Sequence, residues 1–242
     1  MTQAATRVAW QASRWCVFDT ETTGRDPETA RIVTATVGWV NGGQDTDVRQ
    51  WLIDPGVEIP AEATKVHGIT TEHAREHGAS PGVALPQIAE ALRWSWAQGM
   101  PVVAYNATYD FTVTDREIRA QGIDPGGFPI AGAVLDPFVL DRELDTYRKG
   151  SRTLTACCEH YGVRLDGAHD ATADAVAAAR VLWALLRKYP ALGRRSLQDL
   201  QVDQARWHAD RQESFRAYLR RVGKPVDDVD GHWPQRPYTG PR

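Results

Sequence analysis

Residues 14–28 read RWCVFDTETTGRDPE, and their opening places two carboxylates where a chain normally avoids them. Trp15-Cys16-Val17-Phe18 is an apolar run of the kind that enters a core as a strand, and it continues directly into Asp19 and Glu21. Alternate residues of a strand share a face, so these two acids project side by side. Like charges held together and partly out of water are costly unless a positive charge lies between them. Any fold for this chain must therefore bring a cation, or groups that replace one, to the end of its first strand.

The rest of the pattern predicts where that strand sits. Arg31–Val40 and Val48–Pro55 read as further strands, joined through an Asn-Gly-Gly hairpin signal. Helical and strand segments then alternate. Short helices are expected at 61–68 and from Thr70, and a longer one at 83–99. A buried strand is expected at Met100–Asn106, a helix at 109–122 ending on Gly122, and a fifth strand within 127–138. Two helices follow, at 152–162 and in the alanine-rich 170–189. The expected architecture is an α/β five-stranded mixed sheet flanked by helices. One core domain is expected over 1–190. An extension over 191–242 carries a long helix from Ser196 to Gly223 and a Pro/Gly-rich tail, packing on the domain or projecting from it.

Composition narrows the partners. Among 242 residues 42% are hydrophobic and 24% charged, enough for a substantial core, and the net charge of −3 gives no global basic field. A phosphate-bearing substrate would have to be captured locally. No segment approaches the roughly 18 apolar residues of a membrane span, and the N-terminus lacks the apolar run of a signal peptide. Cys16, Cys157 and Cys158 fit neither zinc-ligand spacing nor a disulfide framework, so a soluble, cytoplasmic protein without a membrane partner is expected.

Two further carboxylates occupy telling positions. Asp110 starts the helix after the "VVAYN" strand, and Asp174 lies near the start of the alanine-rich helix, five residues after His169. Strand ends and helix starts are where α/β sheets gather ligands. If these elements converge, Asp19, Glu21, Asp110 and Asp174 form an oxygen-rich site for Mg²⁺ or Mn²⁺. Two such ions roughly 3.5–4 Å apart would clamp an in-line phosphoryl displacement. His169, in a loop before the helix, has the ordinary pKa of a general base near neutral pH.

In order along the chain, FDTETTG, AYNATYDF and HDATADA resemble the three motifs of the DEDDh 3′–5′ exonucleases, in particular the proofreading epsilon subunits of bacterial DNA polymerase III. The likeness spans about Trp15 to Tyr189, and Lys65–Thr70, KVHGIT, resembles a substrate-contacting segment of that family. The resemblance implies a ribonuclease-H-like fold and two Mg²⁺ or Mn²⁺ ions on Asp19, Glu21, Asp110 and Asp174, with His169 as general base. It also implies release of nucleoside 5′-monophosphates, with Thr20, Thr22 and His67 near the terminal nucleotide. Tyr105 stands where the family often has histidine, and Tyr109 where phenylalanine is common. The expected substrate is a single-stranded nucleic-acid 3′ end, DNA ahead of RNA, with a DNA polymerase as a possible but not required partner. The alternatives are an exoribonuclease or oligoribonuclease, and a catalytically silent subunit that binds polymerase or DNA ends. The full set of acids and the histidine weighs against the silent subunit.

Overall fold

A computed structural model describes residues 10–41, 44–165 and 171–240, without the side chains of 44–46. After a 3₁₀ turn at Trp10–Ala12, β1 (Trp15–Thr22), β2 (Ile32–Asn41) and β3 (Gln44–Leu52) form an antiparallel meander. The expected hairpin joins β2 and β3, and its residues 42–43 lie outside the described residues. β4 (Val102–Val103) and β5 (Val134–Leu135) then add in parallel, giving one mixed sheet in the order β3-β2-β1-β4-β5. The five-stranded expectation therefore holds, with β1 at the centre.

The pleat of β1 divides the core. Cys16 and Phe18 face one apolar cluster, and Trp15 and Val17 face the other. On the first side lie α3 (Pro81–Ala97) and α4 (Ala107–Ala120), while α1 (Ala61–His67) and α2 (Thr71–His77) pack Ala63 and Ala74 into a smaller cluster with Val33 and Ile59. Phe18 packs on Phe111 of α4 at 5.4 Å between ring centroids, and Phe111, Trp96 and Phe128 form a mutual cluster with centroids 6.0–6.4 Å apart. On the second side α5 (Pro137–Leu144), α6 (Leu154–Tyr161) and α7 (Ala171–Lys188) cover the sheet. The alanines of α7 let it lie close: Ala175, Ala177, Ala178 and Ala179 are all buried. A short α8 (Pro190–Gly193) leads into α9 (Leu197–Arg221), which starts where expected, with the Ser196 hydroxyl accepting from the Asp199 N–H at 3.0 Å.

Three local expectations are corrected. The strand predicted over Met100–Asn106 keeps only Val102–Val103, because the chain turns at Asn106 and α4 begins at Ala107 rather than at 109. The fifth strand keeps only Val134–Leu135. Its outer edge meets side chains instead of another strand, Gln201 of α9 pairing with the N–H and the C=O of Val134 at 2.9 and 2.7 Å. Helix α5 was not anticipated, although Asp136 as N-cap followed by Pro137 in the first turn is a recognised start signal. Cys16, Cys157 and Cys158 are buried and unbridged, and no helix among the described residues is long and apolar enough to cross a membrane.

Candidate active site

In β1 the residues from Trp15 to Thr22 are buried except Asp19 and Glu21, which are half-exposed on the face covered by α7. Helix α7 delivers Asp174 from its first turn to the same place. One carboxylate oxygen from each of Asp19, Glu21 and Asp174 lies within 4.8 Å of the others. Side chains distant by some 150 positions in sequence thus meet because a strand end and a helix start coincide.

Asp110 lies outside that group of three. It is buried in the first turn of α4, and its Oδ1 accepts from the Thr20 N–H at 3.0 Å and from the Thr20 hydroxyl at 2.7 Å. Thr20 lies between Asp19 and Glu21 in β1, so these bonds hold α4 against the strand that carries the other acids. Burial raises the Asp110 carboxyl to about 7 while the two Thr20 bonds pull it down and the nearby Asp136 pushes it up. Without a cation this acid is poised to hold its proton near neutral pH. His169 lies outside the described residues.

A cleft of about 820 Å³ opens beside Glu21, lined also by Thr20, Thr22, His67 and Tyr109. The three residues expected near a terminal nucleotide therefore share one cavity. Their hydrogen bonds are partly committed: the Thr22 hydroxyl donates to the Gly24 carbonyl at 2.9 Å and meets the Tyr109 hydroxyl, which also bonds Gly24. Burial pushes the Tyr109 phenol up to about 12, so it stays a proton donor. His67 ends α1 because Gly68 takes a left-handed conformation, φ 78°, that favours glycine. His67 Nδ1 accepts from the Ile69 N–H at 3.1 Å, which leaves Nε2 to carry the proton. Burial lowers the pKa of the ring, and the Thr22 backbone opposes that change, so the ring is neutral near pH 7.

Tyr105 lies apart from this cleft. Its hydroxyl donates to the Arg152 carbonyl at 2.6 Å and to Cys157 Sγ at 3.0 Å, a structural use of a position where the resemblance would have placed histidine. Sequence reasoning did not single out Asp136, a buried acid at the end of β5 that binds the first N–H groups of α4. The Asp-Pro helix start was its one visible signal.

The donor set fits a hard divalent cation. Three clustered carboxylates offer oxygen only, as Mg²⁺ and Mn²⁺ prefer, and Asp110 is a fourth acid one residue away through Thr20.

A relative from Rhodobacter capsulatus, described as a DNA polymerase III subunit epsilon-like protein, is 34% identical over 188 residues, covering 75% of this chain and 24% of its own length. A PolC-type DNA polymerase III from Listeria innocua is 28% identical over 181 residues, covering 74% of this chain and 12% of its own length. The chain therefore spans a quarter or less of these relatives. Exonuclease I from E. coli shares the fold with a TM-score of 0.65 and 18% identity, over 85% of this chain and 45% of that one. Exonuclease I from Methylocaldum szegediense does so at 0.61 and 24%, over 74% and 42%. The profile of the RNase T exonuclease family matches residues 16–182, the stretch from β1 into α7 that carries all four acids, and the chain belongs to that family.

Proposed function

We propose that this chain is a metal-dependent 3′–5′ exonuclease that shortens single-stranded DNA from its 3′ end and releases nucleoside 5′-monophosphates. The observation that carries the reading is the meeting of Asp19, Glu21 and Asp174 beside a cleft large enough for a terminal nucleotide. Family membership supports exonuclease chemistry, and the polymerase-linked names of its relatives support DNA. Single-stranded DNA is supported by the oligonucleotide complexes of E. coli exonuclease I.

Mg²⁺ or Mn²⁺, as two ions on Asp19, Glu21, Asp110 and Asp174, would supply Lewis-acid polarisation of the phosphate and a more acidic water. The chain's own residues do the rest. Thr20 holds Asp110 with two donors, fixing one acid relative to its neighbours. Thr22, His67 and Tyr109 wall the cleft that receives the 3′-terminal nucleotide. His169 takes a proton from the attacking water on a ring nitrogen. The water oxygen bonds to phosphorus and the bond from phosphorus to the 3′ oxygen of the preceding nucleotide breaks. That oxygen regains a proton as the new 3′-hydroxyl, and the terminal nucleotide departs with a 5′-phosphate.

The reading places the exonuclease domain at 1–190 and treats 191–242 as an extension packed upon it. It needs no polymerase subunit, and a reducing cytoplasm suits three unbridged cysteines.

The test is a gel time course on 5′-labelled single-stranded DNA and RNA of one sequence, with Mg²⁺, Mn²⁺ or EDTA and with Asp19→Ala. The expected result is a ladder receding from the 3′ end of DNA, absent in EDTA and in the variant. Faster trimming of RNA would overturn the substrate assignment. No cleavage of either strand by folded, metal-supplied protein would overturn the activity.

A further inference from the structure

The C-terminal extension lies beyond residues 16–182, yet its side chains converge on the helix that carries Asp110. The meeting point is Asp136, 1% exposed. Its Oδ1 accepts from the N–H groups of Asn106 at 2.9 Å and Phe138 at 3.0 Å, and its Oδ2 from the N–H of Ala107 at 3.0 Å. The fourth donor comes from the tail: Trp233 Nε1 reaches Asp136 Oδ2 at 3.3 Å. From α9, the buried Gln204 accepts from the Asp136 N–H at 2.8 Å and donates to the Val134 carbonyl at 3.1 Å. The tail also straps α4 further along. The Arg236 N–H donates to the Thr112 hydroxyl at 3.0 Å, and Arg116 donates to the carbonyls of Arg236 and Pro237 at 3.2 and 2.9 Å.

The backbone that Asp136 grips is itself unusual. Among the described residues Asn106 alone, apart from glycines, has positive φ, at 65°. Asparagine tolerates that conformation at a cost, and it persists where surrounding bonds over-determine it. Here the two N–H groups on either side of the turn are both tied to one carboxylate. Asp110 begins one helical turn later, so any swing of the turn carries its carboxylate with it.

From these contacts we infer that the C-terminal extension is a positioning element of the active site: Trp233 and Gln204 hold Asp136, Asp136 holds the Asn106–Ala107 turn, and the turn sets Asp110 against Thr20. The inference rests on the reading of Asp110 as a metal ligand and adds Gln204 and Trp233, which lie beyond the stretch the family profile matches. It makes Trp233 and Asp136 positioning residues, neither touching substrate.

The experiment is Mn²⁺ binding to the full-length protein without nucleic acid, followed by calorimetry, together with kcat and KM on a single-stranded DNA oligonucleotide. Trp233→Phe removes the indole donor and keeps an apolar ring in place; Asp136→Asn weakens the whole grip. Tyr238→Ala is the control, because it strips the ring lying over Arg116 and Arg119 and loosens the tail without touching Asp136. A misplacement of about 1 Å costs on the order of 10²-fold in rate, so a half-ångström slip in Trp233→Phe is expected to cost about tenfold in kcat. Mn²⁺ affinity should fall alongside, with KM unchanged. Tyr238→Ala should lower Tm and leave Mn²⁺ affinity and kcat alone.

Wild-type Mn²⁺ affinity and kcat in folded Trp233→Phe, or an equal loss in Tyr238→Ala, would overturn the inference. If Asp136→Asn fails to fold, Trp233→Phe decides alone. Should the wild type bind Mn²⁺ and cleave no 3′ end, the proposed activity fails, and a lower Mn²⁺ affinity in Trp233→Phe still supports the positioning role.

Discussion

Glu117 gives the sharpest test of how α4 is held. Its side chain is fully buried, Oε2 accepts from the Ile32 N–H at 3.0 Å, and the nearest cation, Arg31, lies 3.8 Å from Oε1 and is one-third exposed. Burial raises its pKa from 4.5 to about 7, against the pull of the Ile32 bond and of Arg31. At about 1.4 kcal/mol per tenfold change in proton affinity, the ionised carboxylate costs the folded state up to about 3 kcal/mol. Because the folded pKa is the higher one, folded protein binds more protons than unfolded between pH 4.5 and about 7. Stability from this group is complete below 4.5 and is lost as pH rises through about 7. Glu117→Gln cannot ionise, and its carbonyl still accepts from Ile32. The pull of Arg31 is already contained in that shift, so the variant should gain up to about 3 kcal/mol above pH 7.5. Urea unfolding of both proteins at pH 4, 6.5 and 8 reads the effect, which should be near zero at pH 4 and full at pH 8. A gain of that size raises Tm by roughly 9 °C in a domain of this length. A difference that does not change with pH, or a variant less stable than wild type at pH 8, would refute the argument.

Four further outcomes are expected. Asp141 is buried, and although burial works to raise its carboxyl, the bonds from Tyr161, Arg152 and Arg148 outweigh it and hold the pKa low. Its stabilisation is present above 3.8 and lost as pH falls through the folded value, so Asp141→Asn should cost about 3–5 kcal/mol in denaturant titrations at pH 7 and less in acid. Thr20→Val deletes the 2.7 Å hydroxyl bond to Asp110 and keeps the N–H bond, and calorimetry should show Mn²⁺ affinity lower by about tenfold, the worth of one bond to a charged group. Tyr109→Phe removes the hydroxyl shared by Thr22 and Gly24, and steady-state kinetics should show KM on DNA raised about fivefold, roughly 1 kcal/mol, with kcat unchanged. Mn²⁺ at about 100 times its Kd should stabilise the wild type by about 2.7 kcal/mol in thermal melts, reversed by EDTA and absent in Asp174→Asn.

Much of the site was legible before the fold was known, and for a definite reason. Asp19 and Glu21 interrupt a strand that is otherwise buried, and the period of a strand places them on one face without any knowledge of the neighbours. Asp174 and Asp110 were legible by position, each in the first turn of a helix. The short β4 and β5 and the helix at Pro137–Leu144 were misread, because a two-residue strand has no period and its length depends on what covers its edge.

The chain alone determined the alternation that exposes two acids, the succession of five strands, and the caps at Ser196 and Gly68 that start and stop helices, since all of these act over a few residues. Tertiary structure alone decided that Asp19, Glu21 and Asp174 lie within 4.8 Å while Asp110 is held by Thr20, and that a tryptophan at 233 shares one buried carboxylate with the turn before Asp110. Those pairings join positions some 90 to 150 residues apart. Side chains so distant meet only when packing of the whole core fixes where each helix start falls, and no local pattern encodes that.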